Sequence, residues 1–370
     1  MEFVLPDYRG ATLSNLLPSI AASLDGAPGP IEIPEAARYV ILLVDGLGLQ
    51  GLEQHADHAD VMATLLPDAR TLTCSVPSTT ATSLTSLGCG TWPGRHGVVG
   101  YTFLDPSSDK VLNALSWEGG PERLAGFKLA PTLFESFSRD GIGCAAVSLA
   151  RFGSSALTQL AFGGTNHFGI DNESDPETVV DLVTRALDGH RIVYCYERLL
   201  DHAGHGWGIG SWQWLEQLAR VDDLVSTLRA TLDDDVCLLI TGDHGMVNVP
   251  QEHRIVVEDH AELLGFRHIA GEGRFRQLYC DDAPALKSAW SRFLGERGDV
   301  VLREEAEAAG WFGPSLDSGV VERVGDVLVA MRSDWAVMTR TFPREFDLVG
   351  MHGSLTVQEM LVPLLVAGPS

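Results

Sequence analysis

Two short segments gather side chains that ligate metal ions. In DHAGHGWG, at 201–208, Asp201 precedes His205 by four residues. On a helix the two share a face; in a glycine-rich loop the same separation folds around one ion. Carboxylate oxygen and imidazole nitrogen are the donors that zinc and related transition metals take, although a surface loop also accounts for this spacing alone. In LLITGDHG, at 238–245, Asp243 and His244 stand directly beyond an apolar run, where adjacent side chains of a turn reach different parts of a cluster. An isolated Asp-His pair is equally a common turn feature. Asp45 ends another apolar run, and His352 in MHGSLT offers a further nitrogen beside a glycine. Adjacent carboxylates raise one another's pKa, whereas divalent cations stabilise their charged forms. A metal cluster therefore explains a placement that polar loop ends leave unexplained.

A third segment, SVPSTTATSLTSLGCGTWPGRHGVVG at 75–100, supplies hydroxyls. Pro77 and the run Ser78, Thr79, Thr80 predict a helix start, followed by Ala81, Leu84 and Leu87 at helical spacing. A hydroxyl there can meet a metal while backbone N–H groups face an incoming phosphate. Three capping hydroxyls are the plainer alternative.

These residues need a frame. YVILLV at 39–44 is a short continuous apolar run ending at Asp45, as expected of a buried parallel strand that delivers a carboxylate to its C-terminal edge. Similar runs lie at 142–149, 191–196 and 236–241, with helical patterns at 130–138, 176–187 and 211–230 between them. This alternation predicts a mostly parallel sheet covered on both faces, with ligands gathered beyond the carboxyl ends of its strands. After 250 the pattern changes: a strand at 273–280, a helix at 283–295 and two short strands around a turn within 314–333, before an apolar run returns at 360–367. The expected organisation is a core from 1–254 and 346–370, with a small α+β insert at 255–345 forming a wall beside the site.

At 370 residues and 45% hydrophobic positions, the chain can bury a large core. Its 50 acidic side chains exceed the 26 basic ones, for a net charge of -24, which opposes nucleic-acid polymers and anionic membranes as partners. Bound cations would invert that repulsion locally, so a small phosphate ester remains compatible. Six cysteines without zinc-knuckle or redox spacing predict free thiols in a reducing compartment. No basic n-region precedes an apolar core at the start, so cytoplasmic residence is expected.

Taken in order, VDG at 44–46, SVPSTTATSLTSLGCGTWPGRHG at 75–97, DHAGHG at 201–206, TGDHGM at 241–246 and MHGS at 351–354 resemble the alkaline-phosphatase superfamily, and within it the type I phosphodiesterase/nucleotide pyrophosphatase family. The resemblance implies an α/β, alkaline-phosphatase-like three-layer sandwich with a mostly parallel central sheet. It further implies hydrolysis of a small phosphodiester or pyrophosphate at two divalent metal ions, zinc with manganese as the alternative. Asp201, His205 and His352 would hold one ion. Asp45, Asp243 and His244 would hold the second, with Thr80 as the nucleophile bridging toward it. Thr80 is chosen over Thr79 because it lies ten residues before Gly90, the family register.

The chain also departs from the nucleotide-processing pattern. Ala81-Thr82-Ser83 replaces an aromatic-Pro-Asn run, and Tyr101 stands where a phosphate-binding Asn is expected. Tyr101 either bonds the substrate or packs in the core. Arg95 either approaches phosphate or anchors its loop, and Trp207 and Trp311 are either substrate contacts or structural. A phosphomonoesterase with the same metals, and an inactive metal-stabilised binding protein, are the alternatives. Neither Cys74 nor Cys89 begins the Cys-x-Pro-x-Arg sequence of a sulfatase.

Overall fold

Along the strand Arg38–Val44 the side chains divide strictly: Tyr39, Ile41 and Leu43 enter one apolar cluster, and Val40, Leu42 and Val44 another. A strand buried on both faces needs helices above and below it, and the computed structural model, which describes residues 3–173 and 175–367, has that arrangement. The central sheet has seven strands. Their spatial order is Arg70–Thr73, Leu361–Ala367, Val236–Gly242, Arg38–Val44, Ile192–Glu197, Cys144–Leu149 and Asn166–Ile170. Leu361–Ala367 alone runs antiparallel to both of its neighbours; the ladders around Arg38–Val44 are parallel. The protein is thus an α/β three-layer sandwich.

Helices Pro176–Leu187 and Trp212–Thr231 supply Val183, Leu218 and Val225 to one face, and Leu13–Asn15, Leu16–Leu24 and Thr80–Cys89 cover the other. The expected strands and helices lie within a few residues of where the apolar runs place them. Two edge strands, Arg70–Thr73 and Asn166–Ile170, have no such signal, because they are short and half exposed.

Beyond Gly242 the chain builds a second, antiparallel sheet in the order His268–Glu272, Phe275–Tyr279, Val327–Met331, Gly298–Leu302. Helix Ala283–Leu294 packs Trp290 and Leu286 against it, giving this region a core of its own. The stretch 314–333 differs from expectation. It holds one strand, Val327–Met331, preceded by a 3-10 turn at Val321–Arg323. Val320, Val324 and Leu316 there pack into the main core rather than forming a ladder. Among the described residues no helix is long and apolar enough to cross a membrane.

Candidate metal centre

Three strands of the central sheet end side by side, and each delivers a donor. Asp45 follows Arg38–Val44, and its backbone N–H donates to the carbonyl of Glu197 at 2.8 Å, locking the turn to the neighbouring strand. Asp243 and His244 follow Val236–Gly242. Asp201 and His205 lie on the helix Leu199–Trp207, just beyond Ile192–Glu197, so the helical alternative for this segment is the observed one. His352 follows the short strand Gly350–Met351, which pairs with Val247–Asn248 just beyond His244. The turn after Asp45 needs glycine: Gly46 has φ +76°, and a Cβ there would stand 3.0 Å from the Cβ of Asp201.

The three imidazoles share one hydrogen-bonding arrangement. Nδ1 of His205 donates to the carbonyl of Gly350 at 2.8 Å, that of His352 to Ser78 at 2.8 Å, and that of His244 to Gly245 at 3.0 Å. Each bond fixes the ring and leaves Nε2 facing the cluster, the arrangement typical of metal-ligating histidines. The rings crowd together, with centroids 3.7 Å apart for His244 and His352 and 5.1 Å for His205 and His352.

The carboxylates converge on the same space. Donor atoms of Asp201, His205 and His352 lie within 4.8 Å of one another, as do those of Asp45, Asp201 and His244. Asp201 thus stands between the two groups, and its Oδ1 is buried without a hydrogen-bond partner. Asp243 spends Oδ1 on the N–H groups of Gly46 and His244, both at 3.1 Å. Its Oδ2 is also buried and unpartnered, 3.7 Å from Nε2 of His244.

Burial pushes Asp201 and Asp243 well above the usual carboxylate range, and the charge of Asp45 adds to it. Burial works the other way on His244, but Asp243, Asp45 and Asp201 outweigh it and push its pKa up to about 10. His352 is driven well below the ordinary value, by burial first and then by His244 and His205. The cluster therefore draws positive charge to the point that Nε2 of His244 faces. Orphaned carboxylate oxygens and three oriented Nε2 atoms are a donor set that fits divalent cations.

Thr80 opens the helix Thr80–Cys89 with Thr79 at its N-cap. Its Oγ1 lies 3.1 Å from Nε2 of His244 and 3.4 Å from Oδ1 of Asp45. Thr79 turns away: its hydroxyl donates to Oε2 of Glu272 at 3.2 Å. A cavity of about 430 Å³ opens on this cluster, and Thr80, Asp45, Tyr101 and His352 line it.

The structure keeps Arg95 and Trp207 out of that lining. Arg95 lies over the ring of Trp92, and Trp207 is exposed at the end of its helix. Trp311 is buried against Phe275. Tyr101 does face the cavity. No motif points to Glu272, which the second sheet brings to the cavity wall with Oε1 buried and unpartnered, or to Tyr196, whose hydroxyl donates to Oδ2 of Asp45. Both are placed by strand register.

Comparison with known proteins agrees with this geometry. A family model described as type I phosphodiesterase / nucleotide pyrophosphatase matches residues 39–355. Human ectonucleotide pyrophosphatase / phosphodiesterase 5 is similar in structure, with a TM-score of 0.70 at 16% identity over 90% of this chain and 88% of that one. Phosphonoacetate hydrolase from Sinorhizobium meliloti 1021, in complex with phosphonoacetate, gives 0.69 at 18% identity, covering 90% and 91%. The murine phosphodiesterase 5, as an inactive form with AMP bound, gives 0.67 at 16% identity, covering 90% and 88%. No curated protein matches in sequence.

Proposed function

The chain belongs to the type I phosphodiesterase / nucleotide pyrophosphatase family, and we propose that it hydrolyses a small phosphodiester or pyrophosphate with Thr80 as the attacking group. It is a metal-dependent hydrolase of phosphate esters; the substrate class and residue roles are our reading. The observation that carries it is the placement of Thr80 Oγ1, 3.1 Å from Nε2 of His244 and 3.4 Å from Asp45, at the first position of a helix.

Asp201, His205 and His352 would hold one divalent ion and Asp45, Asp243 and His244 the other, with Thr80 turned toward the second. Three imidazole nitrogens among the donors favour zinc, with manganese as the alternative. When bound, two such ions supply the positive charge that ionises the threonine hydroxyl and offsets charge on the leaving oxygen. Thr80 forms the new phosphorus–oxygen bond as the ester or pyrophosphate oxygen departs, and water then cleaves the phosphoryl-threonine. The first N–H groups of the helix Thr80–Cys89 orient the phosphate. Tyr196 holds Asp45 in place through its hydroxyl.

Residues 255–345 act as the insert. Its Glu272, Gly273, Arg344 and Glu345 line the cavity, which supports a role in choosing the organic group of the substrate. Six free, buried cysteines support a reducing, cytoplasmic setting.

The decisive experiment offers bis(p-nitrophenyl) phosphate and p-nitrophenyl phosphate in parallel to the metal-loaded protein and maps any trapped adduct by peptide mass spectrometry. Faster turnover of the diester with an adduct on Thr80 is expected. Faster turnover of the monoester would replace the substrate class, and full activity without an adduct would replace the nucleophile by water.

A further inference from the structure

The cavity does not stop at the metal cluster. Beyond the metal donors and Thr80, the same cavity is lined by Leu84 on the helix that Thr80 opens, by Leu157 and Phe162 on the helix Ala156–Phe162, and by Ala146 and Tyr194 on the sheet. All five are at most 8% exposed. Phe162 stacks on Tyr194 with ring centroids 4.2 Å apart, and Tyr196, the next residue on that face, ties the aromatic wall to Asp45.

Hydroxyls are also present in the lining, and nearly all are committed. Ser148 bonds to His167 at 2.9 Å, and Ser155 donates to Thr158 at 2.9 Å. The hydroxyl of Tyr194 is the exception, buried without a partner. Burial holds this phenol well above its ordinary pKa, with Asp243 and Asp45 adding to the effect, so it keeps its proton to donate. A buried donor left unmade is costly, and an apolar void needs no hydroxyl.

We infer that this chamber is a binding site for an uncharged aromatic or aliphatic group of the substrate, carrying one hydrogen-bond acceptor that receives the Tyr194 hydroxyl. The inference rests on the reading of Thr80 as the reacting group, since Thr80 lines the same cavity. Leu84, Ala146, Leu157, Phe162 and Tyr194 carry no charge, and the arginines of the cavity, Arg198 paired with Glu173 and Arg344, lie outside this group, so these walls disfavour a second phosphate or a carboxylate. A volume of about 430 Å³ for the whole cavity suits a phosphoryl group with one ring or short chain attached.

Phenol, which has no phosphoryl group, tests the chamber by itself. Soaked into crystals, it should lie between Phe162 and Leu84 with its oxygen at Tyr194. In solution it should bind more tightly than toluene, and Tyr194→Phe, which keeps the ring, should remove that advantage. Calorimetry on the metal-loaded protein should then show phenyl phosphate binding at least about tenfold more tightly than methyl phosphate. Ala146→Leu, which fills the chamber, should bring the ratio toward one; if this variant is misfolded by circular dichroism, Leu157→Ala should instead favour 1-naphthyl over phenyl phosphate. Phenol absent from the chamber, or equal affinity for the two phosphates, would overturn the inference. Phenol bound at Tyr194 with neither phosphate bound would uphold the chamber and sink the phosphate reading of the metal cluster.

Discussion

Arg274 and Glu359 meet as a fully buried, two-pronged ion pair, Nε to Oε1 at 2.8 Å and Nη2 to Oε2 at 2.7 Å. The arginine lies between strands of the second sheet, and the glutamate belongs to the core. The same glutamate accepts the N–H of Ser354 at its carboxylate and that of Gly245 at its carbonyl. One residue therefore fastens the second sheet to the loops that carry His244 and His352.

Removing one partner of such a pair leaves an uncompensated buried charge. Glu359→Ala should cost about 3–5 kcal/mol, read as a lower urea midpoint. Arg274→Met combined with Glu359→Leu should recover most of that loss, because no charge is then buried. A single variant as stable as wild type would show that the pair is hydrated in solution.

Metal removal should act on stability as well as activity. With cations gone, Asp45, Asp201 and Asp243 face one another in a buried space, so chelation should lower the melting temperature reversibly. Elemental analysis should find two ions per chain. Asp243→Asn keeps the oxygen that accepts from Gly46 and His244 but loses the charge of Oδ2. It should weaken metal affinity at least about tenfold and shrink the gap in melting temperature between loaded and stripped protein. A gap unchanged in this variant would remove Asp243 from the ligand set.

How far the chain was readable depends on range. Asp45, Asp243 and His244 were legible because each follows a short apolar run of the length and composition of a buried strand, and the strand's end fixes where the residue lands. The segment at 201–208 left helix and loop open, since its glycines permit both; Leu200 and Ala203, buried on one face, settle it through packing. Glu272 and the Arg274–Glu359 pair were invisible because their partners lie at a sequence separation of 85 or more. Arg95 and Trp207 sat beside motif residues, yet neighbours in sequence point in different directions, and neither reaches the cavity.

His96 should give the protein an acid-sensitive limb. It is buried, accepts the N–H of Val98 at Nδ1 and meets Ser86 through Nε2 at 2.9 Å. Burial, then the charge of Arg323, lower its pKa from 6.5 to about 3. Below pH 6.5 the unfolded chain takes up a proton that the folded chain refuses until about pH 3. Stability is therefore complete above 6.5 and falls as pH drops through that window, by up to about 1.4 kcal/mol per unit. His96→Gln should flatten this limb in urea titrations between pH 7 and 4. Parallel limbs for both proteins would assign the acid sensitivity to the carboxylates instead.

Thr79 and Thr80 separate most cleanly of all, because adjacent hydroxyls at one helix start point to different partners. Thr80 Oγ1 faces His244 and Asp45, while Thr79 Oγ1 donates to Glu272. Thr80→Ala removes the oxygen proposed to attack and leaves the six proposed metal donors in place, so kcat should fall on the order of 10³-fold or more with metal content unchanged. Thr80→Ser restores the oxygen and should recover part of the rate. Thr79→Val loses only the bond to Glu272, and its turnover should stay within about tenfold of wild type, with any trapped adduct still on Thr80. Loss of the adduct in Thr79→Val, with Thr80→Ala still active, would move the nucleophile by one residue and detach it from the metal-facing side of the helix.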